Sequence, residues 1–86
     1  MSERLREILD ELRELGGEPL AQRWPAIREL RRLAEHEDAE SVERIRSTAN
    51  AIYGGYGSFA DYGISGPDAD RFERLKDELS REIGRL

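Results

Sequence analysis

The sequence predicts an all-α fold, a small bundle of four main helices with a glycine-rich loop between the third and fourth. Three observations carry that expectation. Apolar residues recur at spacings of three and four along most of the chain, as they do when each helix buries one stripe. Nowhere do apolar and polar residues alternate with the period of two that a half-buried strand requires. Glycines gather in the window 51–67, which holds all three tyrosines and where charge drops to the single residue Asp61.

In the first helix Leu5, Ile8, Leu9, Leu12 and Leu15 make the buried stripe, with Ser2 as the N-cap. Gly16-Gly17 supplies a left-handed stop. On its polar face Glu3, Arg6, Asp10, Arg13 and Glu14 alternate in sign at spacings that allow pairing within the helix. The second segment, after Glu18-Pro19, carries Leu20, Trp24, Ile27, Leu30, Leu33 and Ala34, and Pro25 interrupts it. Proline lacks an N–H and disfavours helix in the residue before it, so 20–23 reads as a short turn. A helix then follows with Pro25 in its first turn, which leaves Trp24 at a corner as a core anchor.

The third helix spans 38–53, with Asp38 as N-cap and Val42, Ile45, Ala49, Ile52 and Tyr53 on its apolar face. The fourth begins near Pro67-Asp68 and carries Phe72, Leu75, Leu79, Ile83 and Leu86. Asp68 and Asp70 suit its start, by capping and by the helix dipole.

With 86 residues the chain makes one domain, near the lower end of what folds alone, which leaves room for a homodimer. It has no cysteine, which rules out disulfides and thiolate zinc sites and points to a reducing, cytoplasmic compartment. The sequence starts straight into a charged amphipathic pattern without a signal-like apolar core, and its apolar runs are too short to span a membrane. A net charge of −5 withholds the counterion-release term that drives most nucleic-acid binding and favours a basic protein partner.

The glycine-rich loop has two readings. Structurally, Gly54 and Gly55 sit where a helix C-cap belongs, and at least one should take positive φ. Ser58 and Asp61 have the spacing of a capping box, starting a short turn that points Phe59, Tyr62 and Ile64 inward. Functionally, the N–H groups of Gly57, Ser58, Phe59 and Ala60 could cradle an anion or nucleotide, although the lysine of a phosphate loop is missing. Alternatively Tyr53, Tyr56 and Tyr62 present a protein-binding surface.

The run 52–61, Ile-Tyr-Gly-Gly-Tyr-Gly-Ser-Phe-Ala-Asp, resembles a group of small, largely uncharacterised bacterial proteins with a G-G-x-G-S-[LF]-x-D signature. Gly54, Gly55, Gly57, Ser58, Phe59 and Asp61 match it, while Tyr56 and Ala60 replace the commoner methionine and asparagine. That group looks like immunity proteins of bacterial toxin systems. The resemblance therefore implies a binding protein that neutralises a toxin or effector, with a phage-encoded inhibitor of a host defence as a variant of the same idea.

Other constellations are weaker. His36 is the only histidine and reads as solvated surface. Ser58, His36 and Asp61 are the residue types of a hydrolase triad, but no nucleophile elbow accompanies them. Asp61, Asp68, Asp70 and Glu73 bracket a turn without the spacing of a calcium loop. The expectation is a non-enzymatic protein without metal or cofactor. The acidic cluster Glu35, Glu37, Asp38, Glu40 and Glu43 is its candidate docking patch for a basic partner.

Overall fold

Each apolar stripe closes against another in the computed structural model, which describes residues 3–36, 38–53 and 57–86. Four helices form, α1 (Glu3–Arg23), α2 (Pro25–Leu33), α3 (Ala39–Tyr53) and α4 (Ala69–Gly84), and a single 3-10 turn, Phe59–Asp61, lies between α3 and α4. No strand occurs among the described residues. Ser2, Glu37, Gly54, Gly55 and Tyr56, singled out above, lie outside them.

The glycine pair bends the first helix instead of ending it. Gly17 takes φ 62° and ψ −156°, a conformation that only glycine adopts readily. The chain then resumes helix at once, so the turn expected at 20–23 is helical. Pro19 falls in the first turn of the resumed stretch, where its missing N–H costs nothing. Gly16 answers a different need. A Cβ there would stand 2.5 Å from the Cβ of Leu20, so the bend can close only over a residue without a side chain.

The break at Trp24 is as the prolines demand. Trp24 leaves helical geometry at φ −129° and ψ 68°, and Pro25 opens α2. α3 departs from expectation at its start, because Ser41 is buried there and Val42 only half-buried. The Ser41 side chain is held by the capping residue, since the Asp38 carboxylate accepts from the Ser41 amide at 3.2 Å and the Ser41 hydroxyl at 2.8 Å.

Around the bundle α1 packs on α4 and α2, and α3 on α2, α4 and the 3-10 turn. All buried apolar side chains described fall in one cluster, from Leu5 on α1 to Ile83 on α4. The radius of gyration is 12.1 Å, against about 12 Å for a well-packed chain of this length.

Charges on the outside tie helices together as well as turns within one helix. Asp10, expected to pair along α1, instead accepts from Arg31 of α2 at 2.7 Å. Arg4 reaches Glu78 of α4 at 2.7 Å, and Arg71 reaches Glu11 at 3.3 Å. Arg13 bridges the bend to Glu18 at 3.1 Å. Half-exposed pairs of this kind are worth about 0–1 kcal/mol each, so they orient the helices while the core holds them.

Candidate functional site

The segment 57–66 folds down over one end of the bundle, with Phe59 as its plug. Phe59 is fully buried and touches four rings: Trp24 at 5.5 Å, Tyr53 at 5.7 Å, Tyr62 at 6.3 Å and Phe72 at 6.5 Å between centroids. Most of these meet edge to face, the arrangement the ring quadrupole favours. Tyr53 and Tyr62 are therefore half-buried packing residues. The Tyr53 hydroxyl donates to the Lys76 carbonyl at 3.2 Å, and burial, with the nearby charge of Asp77, pushes its phenol above the ordinary tyrosine range.

Lys76, the only lysine in the sequence, fastens this segment to α4, and the sequence reading missed it. Its ammonium donates to the carbonyls of Ala60, at 2.9 Å, and Tyr62, and pairs with Glu73 at 3.1 Å. Three donors thus meet three acceptors, and the residue is only 4% exposed. A signal was present in the sequence. Lys76 stands four residues after Phe72 and three before Leu79, on the stripe that faces the core.

Ser58 and Asp61 do not form the expected capping box. Ser58 holds the N-cap position, but its side chain makes no capping bond. The Asp61 carboxylate instead accepts from the Gly57 N–H at 3.2 Å, one residue earlier than the motif requires. The shift follows from Gly57 itself, whose φ of +74° turns its N–H back toward the carboxylate. Of the loop amides expected to cradle an anion, that of Gly57 meets the chain's own carboxylate.

Asp68 likewise stands at the N-cap of α4 without a capping hydrogen bond, leaving Asp70 in the first turn to meet the helix dipole.

Acidic side chains mark the corner where α2 hands over to α3. Glu35, Asp38, Glu40 and Glu43 are all exposed, and so is His36. Two of the acids have partners: Glu35 accepts from Arg31 at 3.0 Å, and Asp38 caps α3 through Ser41. The Ser41 hydroxyl and amide hold the Asp38 carboxyl below its ordinary value. Glu40 and Glu43 form no ion pair with a described residue, so their charge faces outward.

No group of three or more histidine, cysteine, aspartate or glutamate side chains converges as metal ligands among the described residues. No helix among them is long and apolar enough to cross a membrane. Compared with known proteins, the chain matches no family model, no curated protein and no solved structure.

Proposed function

We propose that this chain is a non-enzymatic binding module that neutralises a basic protein partner, in the manner of an immunity protein, through the acidic corner between α2 and α3. The observation that carries the reading is the outward charge of Glu40 and Glu43, which pair with no described residue, on the same corner as Asp38 and Glu35. A net charge of −5 extends the same sign over the whole molecule, which steers a basic partner toward it. The signature between Gly54 and Asp61 supports the toxin-system setting by resemblance. Tyr53 and Tyr62 recede from the interface, since both are engaged in packing.

The test is co-expression with the product of an adjoining gene that arrests bacterial growth. Wild-type chain should restore growth and bind the purified toxin, more weakly as salt rises. A Glu40→Lys/Glu43→Lys variant that keeps its helical circular dichroism should lose both effects. Failure of the wild type to relieve the arrest, or undiminished relief by the variant, overturns the proposal.

A further inference from the structure

We propose that the contact between α4 and the segment 57–66 is an alkylammonium-binding site, which the chain fills with its own Lys76, and that the segment seats fully only when this site is occupied. The site has two halves. From α4 come the Glu73 carboxylate, 3.1 Å from the Lys76 Nζ, and the Phe72 ring, whose centroid lies 5.9 Å from it. From the segment come two backbone carbonyls, those of Ala60, at 2.9 Å, and Tyr62. A carboxylate, two carbonyls and an aromatic ring around one centre are the groups that recognise a primary ammonium. Its three N–H donors meet three acceptors, and the ring offers its electron-rich face to the charge.

The rest of the segment takes no comparable hold on the bundle. From Gly57 to Ser65, Lys76 makes its only hydrogen bonds to an α-helix among the described residues. The others run within the segment: the Gly57 N–H donates to the Asp61 carboxylate, the Asp61 N–H to the Ser58 carbonyl and the Tyr62 N–H to the Phe59 carbonyl. Burial of Phe59 adds apolar contact, but it supplies no partner for the two carbonyls that point at α4. Without the ammonium, two carbonyl oxygens and a carboxylate converge with no donor between them. Oxygens so placed repel, and at a centre whose cation is only 4% exposed water replaces that cation poorly. The cation is thus the joint between segment and helix.

Lys76→Ala removes a three-carbon chain with its ammonium, the shape and charge of n-propylammonium. Trp24 meets Phe59 at 5.5 Å and Tyr62 at 6.1 Å, so its fluorescence reports whether the segment is seated. In the full chain Lys76→Ala should lower the thermal midpoint by about 10 °C or more and alter the Trp24 emission. Propylammonium at millimolar concentration should reverse both changes saturably. Propanol, the same body without charge, and tetramethylammonium, a cation without an N–H donor, should not. Lys76→Met fills the channel with an apolar chain and should lose stability without responding to propylammonium. If the alanine variant loses its helical circular dichroism outright, regained helicity serves as the same readout. An unchanged midpoint in Lys76→Ala, no saturable response to propylammonium, an equal response to propanol or tetramethylammonium, or an equal response in wild type or Lys76→Met overturns the proposal.

Discussion

Asp38 shows how much one side chain sets at the start of a helix. It caps α3, holds the Ser41 hydroxyl and contributes to the acidic corner, all through one carboxylate. Its folded pKa lies below the ordinary value of 3.8, so the folded state takes up the proton less readily than the unfolded chain. The stability this contributes is complete above that ordinary value and is lost as pH falls through the lowered one. Asp38→Asn retains an acceptor oxygen and a good cap but does not titrate. Thermal midpoints measured between about pH 2 and pH 6 should fall less steeply with acid for this variant than for wild type. Equal slopes would remove Asp38 from the acid limb.

At the scale of the element, α1 is the helix that departs most from its pattern. Gly17→Ala forces a Cβ into a glycine-only conformation and should cost about 1–3 kcal/mol in urea unfolding. Gly16→Ala should also destabilise, and trimming Leu20 to alanine should not rescue it, because the atom in the way is the Leu20 Cβ. Full rescue by Leu20→Ala would contradict the close approach. The bend also marks where sequence ceases to be sufficient. The stripes of all four helices are legible because burial imposes their period, and Leu5 through Leu12 or Phe72 through Ile83 follow it closely. Whether Gly16-Gly17 ends a helix or kinks it depends on what Leu20 packs against, which is a tertiary fact. Ser58 and Asp61 show the same limit: their spacing announces a turn, but the φ of Gly57 decides which amide the carboxylate meets. The place of Lys76 on the core-facing stripe is legible in its spacing from Phe72 and Leu79, but its three acceptors come from the fold.

For the molecule as a whole, stability rests on a short chain with one apolar cluster. A domain of this length is held by about 4–13 kcal/mol in total. Phe59 joins four rings, from α3, α4, the corner between α1 and α2, and its own segment, and Phe59→Ala should cost about 3–5 kcal/mol. That is a large share of the total, so the urea midpoint of the variant should collapse while its residual spectrum stays helical. A loss of under about 1 kcal/mol would show that the segment 57–66 is not part of the cooperative core. The solitary lysine has a consequence of another kind. With its ε-amine enclosed by two carbonyls and a carboxylate, the folded chain offers no accessible lysine to amine-directed chemistry. Arginines carry every other basic side-chain charge on the molecule. Acylation of Lys76 by a succinimidyl ester, followed by peptide mass spectrometry, should therefore advance only as fast as the molecule opens. It should accelerate with urea in step with unfolding. A cell's acetylating and ubiquitin-like tagging enzymes meet the same barrier, so at this position a covalent mark would record a past unfolding event rather than regulate the folded protein.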